Sequence, residues 1–262
     1  PCRAMTVIKS VGVHVASDGL ALGNLVGAHP EGGVLAVVGD DPWSHSTQVP
    51  ADSRFISEHL RMPVLEPSDS QELKDWVSLG FELSRRSSYF ITYMVTTELA
   101  DGGGVVDCKP VHWPELNQHQ RTTLDTATFN LDERVLLPPR TAKMEARLPD
   151  RTRRLISAVR ELGVDRLYGP RDGHATIGFV TSGMAYQYLA YAARSLDFAD
   201  RYPILKLGLT WPIDSEPILD LARRVDHLVV IEERRSFIER QISEILTRHR
   251  QSNPRDHLAL LW

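Results

Sequence analysis

Apolar residues in this chain fall into short, nearly continuous runs, separated by stretches in which they recur every three to four positions. The strongest run is 34–38, Val-Leu-Ala-Val-Val, entered through Glu31-Gly32-Gly33 and ended by Gly39 and two aspartates. A short β-branched run closed by turn residues predicts a strand buried on both faces, as in a parallel sheet. Residues 5–8, 62–65, 89–95, 176–180, 203–207 and 228–231 have the same character and predict further strands. Between them the spacing is helical. Leu20, Leu22 and Leu25 predict a helix over 18–27 that Ser17-Asp18 caps, with Lys9 to Gly12 turning the chain before it. A short helix is expected over 55–60. Ser68 stands three positions before Gln71, a capping-box pattern that predicts a helix start near Asp69. Leu73, Trp76, Val77, Gly80 and Phe81 give that helix one core-facing stripe.

The pattern then repeats. Leu155, Ile156, Val159 and Leu162 mark an amphipathic helix that Gly163 stops, and helices are expected over 184–195, over 217–223 and along Ile238, Ile242, Ile245 and Leu246. Strand and helix alternating in this way predict an α/β fold of two parallel-sheet units. The first unit is expected over 1–109, a proline-interrupted connection over 110–150, the second unit over 151–250, and a truncated connection over 251–262. The opening Pro1 and the closing Trp262 suggest a piece of a longer polypeptide.

The polar residues gather where the strongest strand ends. Residues 39–54 hold Asp40, Asp41, His45, Gln48, Asp52 and Arg54, and the carboxyl edge of an open α/β sheet is where such folds keep their ligands. The same residue types also favour turns and helix starts for conformational reasons, and spacing alone leaves both readings open. Other polar clusters read more simply. Asp101-Gly102-Gly103-Gly104 leads into the extended Val105-Val106-Asp107 and reads as an ordinary turn, since phosphate loops open a helix. Arg151, Arg153, Arg154 and Arg160 read as the solvated face of their helix, and Glu232 to Arg235 as a capping and solubility feature.

A net charge of -4 and a pI near 6.2 argue against nucleic acid as the main partner. No apolar run approaches the roughly 20 residues of a membrane helix, and no secretory signal is visible. The chain has 2 cysteines, Cys2 and Cys108, set far apart. They offer neither a disulfide framework nor a metal knuckle, so a reducing cytoplasm is expected. His112 and His119 lack a third ligand at zinc spacing, and no metal site is expected.

Gly39-Asp40-Asp41-Pro42, His45-Ser46, Gln48, Asp52-Ser53-Arg54 and Pro63 to Asp69 resemble the indolepyruvate ferredoxin oxidoreductase family of thiamine-diphosphate enzymes. Gly178 to Gly183, Tyr186, Lys206 to Pro212 and Val230 to Glu233 continue the resemblance in the family's order. It implies part of a thiamine-binding pyrimidine-type domain followed by a transketolase C-terminal-like domain. It also implies oxidative decarboxylation of an aryl 2-oxoacid to an acyl-CoA, with ferredoxin as electron acceptor. Arg54 would hold the substrate carboxylate with Gln48 and Asp52 beside it, since a guanidinium matches a carboxylate at two points. Ser10, Gly12, Asp41 and His45 would face the cofactor. No residue of the chain is expected to be catalytic. Thiamine diphosphate with Mg2+, [4Fe-4S] clusters and CoA belong to the complete enzyme. The activating glutamate, the Gly-Asp-Gly diphosphate motif and the cysteine clusters are missing here, so this chain alone is expected to be inactive. Its partners would be the remaining domains or subunits, in a homo-oligomer. A non-catalytic assembly module and a pyruvate or branched-chain 2-oxoacid oxidoreductase are the alternatives.

Overall fold

A computed structural model describes residues 3–110, 127, 130 and 135–262. The first sheet holds β1 (Arg3–Lys9), β2 (Gly33–Asp40), β3 (Val64–Leu65), β4 (Phe90–Thr96) and β8 (Leu209–Trp211), in the order β1-β2-β4-β3-β8. The second holds β5 (Arg166–Tyr168), β6 (Ala175–Ser182), β7 (Ile204–Leu207), β9 (Val225–Ile231) and β10 (Leu260–Leu261), in the order β10-β9-β6-β7-β5. Pairing is parallel throughout, except where β8 meets β3 and β5 meets β7. The expected α/β architecture of two parallel-dominated sheets is therefore present.

Helices cover the sheets as the apolar spacing requires. On β2, Leu35 points to one face of the first sheet and Ala36 and Val38 to the other, the period-2 alternation of a strand buried on both sides. Ala36 and Val38 pack with Val13 of α1 (Ser10–Val26) and Leu60, which follows α2 (Arg54–His59). Leu35 packs with Trp76 and Leu83 of α3 (Ser70–Ser87) and with Leu155 and Val159, on the third helix after α3. A short α4 (Thr97–Asp101) follows β4, and α5 (Arg140–Glu145) precedes α6 (Leu148–Glu161), the helix that carries Leu155. The second sheet is covered by α7 (Gly183–Ser195), α8 (Ser215–Ala222) and α9 (Ile238–Ser252), with Ile218, Leu221, Ile238, Ile242 and Leu246 buried against Val180 and Leu228.

The two sheets share a chain segment. β7 belongs to the second sheet and β8 to the first, with Gly208 alone between them. The Asp165 carboxylate accepts the N–H groups of Gly208 at 2.7 Å and Leu209 at 3.1 Å, while Gly208 O accepts from Glu66 N at 2.9 Å. Burial raises Asp165 to about 6 despite these two bonds. A Cβ at Gly208 would stand 2.7 Å from the Trp76 ring and 2.7 Å from Val164 O, so only glycine passes.

Three local expectations are corrected. α1 begins at Ser10, directly after β1, and not near Asp18; Ser17 lies inside it, with its hydroxyl bonded back to His14 O at 2.9 Å. Packing of Val13 under the sheet sets this start, over a local capping preference. The cap of α3 is Asp69, which accepts from Glu72 N at 2.8 Å, one position later than Ser68. Of the four arginines expected on the solvated face of α6, Arg153, Arg154 and Arg160 are exposed, but Arg151 is buried and donates to the carbonyls of Asn24 at 2.8 Å and Ser88 at 2.7 Å. The exposed Arg160 is bound to Asp214 at 2.7 Å. His112 and His119 lie outside the described residues.

Candidate functional site

The carboxyl ends of the strands deliver polar groups from both sheets to one place. Asp40 ends β2, Glu66 follows β3, Thr96 ends β4, Ser182 ends β6, and Glu232 and Glu233 follow β9. In a parallel sheet this edge presents strand ends and loops free to vary without disturbing the core.

Asp41 builds the loop that follows β2. Its carboxylate accepts the N–H groups of His45 at 2.9 Å, Ser46 at 2.7 Å and Thr47 at 2.9 Å, and the Thr47 hydroxyl at 3.1 Å. Burial works against its charge, yet these donors hold its pKa far below the ordinary carboxylate range. Asp40 closes the far end by accepting Ser53 N at 2.8 Å and Ser53 Oγ at 3.1 Å. Asp40 has fewer donors, and burial raises its pKa.

Arg54 opens α2 and turns inward, 6% exposed. Its Nε donates to Asp52 Oδ1 at 2.8 Å and Nη2 to Asp52 Oδ2 at 2.7 Å, a two-point fork. Nη1 donates to Glu232 Oε2 at 3.3 Å across the sheet boundary, and the guanidinium stacks over Phe237 at 5.1 Å. Burial alone would lower its pKa; the Asp52 fork and the charges of Glu66 and Glu232 outweigh it and hold the arginine cationic.

Glu232 has a second task. Its oxygens accept the N–H groups of Phe237 at 3.1 Å, Ile238 at 3.0 Å and Glu239 at 3.0 Å, at the start of α9. Glu66 is buried, accepts from the Ser182 hydroxyl at 3.3 Å, and has its pKa raised by burial. Its carboxyl lies against Gly183, whose φ of +46° and missing Cβ make room for it; an added Cβ would stand 2.6 Å from Oε1. Glu233 is raised to about 7, first by burial and then by the charges of Glu98 and Glu66. Arg234 donates to Pro42 O and stacks on Trp43 at 5.5 Å, tying the end of β9 to the Asp41 loop.

Five carboxyl groups, Asp40, Asp52, Glu66, Glu232 and Glu233, thus gather around the buried Arg54, with the exposed Arg234 at the rim. They leave a cavity of about 10 Å³ between Asp40, Arg54, Glu66 and Glu233, near the room one water needs. Burial first, and the neighbouring carboxylates after it, raise the pKa of Asp40, Glu66 and Glu233.

Of the residues singled out from sequence, Asp41, Asp52 and Arg54 meet in this loop, while Gln48 is exposed at its tip. His45 is largely exposed, with Nδ1 3.1 Å from Glu98 Oε1. Ser10 and Gly12 lie in the first turn of α1, just past Lys9, which pairs with Gly39 of β2. Sequence reasoning read Glu232-Glu233 as a cap, which Glu232 is for α9, and did not place them or Glu66 at the site. Each directly follows a buried strand, as Asp40 ends one, and that position was the available signal.

No group of three or more His, Cys, Asp or Glu is disposed to hold a metal ion among the described residues. Cys108 is exposed, and an iron–sulfur cluster needs several converging thiolates. The described residues therefore do not supply the thiolates of a cluster site. No helix is long and apolar enough to cross a membrane among the described residues.

Residues 166–255 match the family model described as an indolepyruvate oxidoreductase domain. Over that stretch, about a third of its length, the chain is similar to the indolepyruvate oxidoreductase family. It is 29% identical over 242 residues to indolepyruvate oxidoreductase subunit IorA of Archaeoglobus fulgidus, covering 90% of this chain and 36% of that protein. With the Pyrococcus horikoshii subunit of the same name it shares 28% over 240 residues, covering 92% of this chain and 36% of the other. The chain thus spans just over a third of the length of these relatives. Its fold is similar to that of a 2-oxoglutarate:ferredoxin oxidoreductase from Magnetococcus marinus, solved with 2-oxoglutarate, coenzyme A and succinyl-CoA bound (TM-score 0.64, 14% identity, 98% of this chain and 49% of that one). It is also similar to a split-gene transketolase described as an inactive beta4 tetramer (TM-score 0.50, 13% identity, 93% of this chain and 62% of that one).

Proposed function

We propose that this chain is the part of an indolepyruvate-type 2-oxoacid oxidoreductase that forms one wall of its reaction centre. The complete enzyme would decarboxylate an aryl 2-oxoacid oxidatively to an acyl-CoA and pass electrons to ferredoxin. The observation that carries the reading is the convergence of Asp40, Arg54, Glu66 and Glu232 from the strand ends of both sheets, in a chain akin to the IorA subunits. Thiamine diphosphate with Mg2+ and the iron–sulfur clusters would be held elsewhere in the enzyme, because the Gly-Asp-Gly diphosphate motif and the cysteine clusters are missing from this chain. CoA is supported by the coenzyme A bound in the 2-oxoglutarate:ferredoxin oxidoreductase of like fold.

In this reading Arg54 meets a substrate carboxylate only through the N–H groups left over by Asp52 and Glu232, at the rim of the small cavity. Gln48 and His45 lie outward on the same loop, and Ser10 and Gly12 flank the edge from α1. Partner domains or subunits are supported by an apolar face on β1 and α1, where Met5, Val7, Val11 and Val15 are 50–83% exposed.

The test is dye reduction by the full-length enzyme with CoA, comparing indolepyruvate, phenylpyruvate, pyruvate and 2-oxoglutarate. Preference for the aryl substrates is expected, with a higher KM or lower kcat in Arg54→Lys. Preference for pyruvate would remove the aryl assignment, and unchanged kinetics in the variant would remove Arg54 from substrate binding.

A further inference from the structure

A second cleft lies apart from the carboxylate cage and shares none of its lining residues. It has a volume of about 350 Å³ and opens between the start of α3 and the β5–β7 edge of the second sheet, a size that suits a small molecule. Lys206 on β7 is 1% exposed and forms a buried ion pair with Glu72, between the rings of Trp76 at 5.3 Å and Tyr186 at 5.0 Å. Tyr168 stacks on Tyr186 with ring centroids 5.2 Å apart and 30° between the planes, so this aromatic pair lines one side of the cleft.

The acids around this cleft are already committed. Glu72 serves Lys206 and Ser68, Asp69 caps α3, and Asp75 holds Lys74 at 2.7 Å and Gln71 at 2.6 Å. The cations at the mouth are less so. Arg166 makes a long 4.0 Å ion pair with Glu72 and a 3.4 Å bond to Gly163 O, and the guanidinium of Arg194 has no ion-pair partner among the described residues. Once the internal pairs are counted, the mouth carries an excess of fixed positive charge beside an aromatic wall.

We propose that this cleft binds an organic oxyanion, a carboxylate or phosphate monoester whose apolar body packs against the Tyr168–Tyr186 pair while Arg166 and Arg194 take its charge. The site goes beyond the proposed reaction and does not depend on it. Both arginines are exposed, so removing them leaves the core intact.

Calorimetric titration of the full-length protein at low ionic strength with phenyl phosphate, phenylacetate and inorganic phosphate tests this. Either phenyl compound should bind more tightly than inorganic phosphate, and Arg166→Ala/Arg194→Ala should weaken it by about tenfold or more. Arg201→Ala/Arg248→Ala, which removes the same charge from exposed positions elsewhere, should leave binding unchanged. No binding of either phenyl compound, equal binding of inorganic phosphate, or an equal loss in the control variant would overturn the proposal.

Discussion

Arg54 and Asp52, two positions apart, face each other in a two-point fork at 2.8 and 2.7 Å, with both side chains less than a tenth exposed. The same guanidinium reaches Glu232 from the other sheet. One arginine thereby closes the loop after β2 and ties the carboxyl edges of the two sheets together.

Removing this cation strands buried negative charge. Arg54→Met should cost about 3–5 kcal/mol of stability, the typical loss when one partner of a buried pair is deleted. Arg54→Lys should cost less, because it keeps the charge while losing the fork. Urea unfolding of the two variants beside the parent measures both. A loss below about 1 kcal/mol in Arg54→Met would show that the cage does not rely on this arginine.

The Lys206–Glu72 pair makes a parallel case in the second cleft. Lys206→Met alone should destabilise by a similar 3–5 kcal/mol, since Glu72 is left buried without its cation. Lys206→Met combined with Glu72→Gln should recover a large part of that loss, which a double-mutant cycle reads directly. Simple addition of the two single effects would mean that the side chains act independently.

Glu233 sets a pH dependence whose sign can be worked out. Its pKa is about 7 in the folded chain against a reference of 4.5, so between those values the folded state holds more protons than the unfolded one. Stability from this residue should therefore fall as pH rises from 4.5 to 7 and level off above. Glu233→Gln should flatten that slope and be more stable than the parent at pH 8. Melting temperatures across pH 4.5 to 8 decide it, and parallel curves for the two proteins would count against the assignment.

Asp41 acts in the opposite direction. Its carboxylate is held ionised by three backbone N–H groups, so its contribution is present above the unfolded carboxylate pKa, near 3.8, and fades as pH falls below it. Asp41→Asn should speed hydrogen exchange at the amides of His45, Ser46 and Thr47 and leave β2 unchanged. Protection factors at those three amides equal to the parent's would show that the loop keeps its shape without the charge.

The chain's own order of residues determined a good deal. Apolar runs such as 34–38, and the stripe from Leu73 to Phe81, placed the strands and the long helices, because burial on both faces or one face leaves a periodic trace in the sequence. The polar loop from Asp40 to Arg54 was legible for the same reason: a buried strand that stops at carboxylates must hand the chain to an edge.

Only tertiary structure decided where α6 packs, that Gly208 carries the chain from one sheet to the other, and that Arg151 is buried. It alone brought Glu66 and Glu232 to Arg54, and Lys206 to Glu72 across 134 positions. Local sequence encodes what a residue prefers near its neighbours. Which distant charge it must neutralise is fixed only when two sheets meet edge to edge and exclude water.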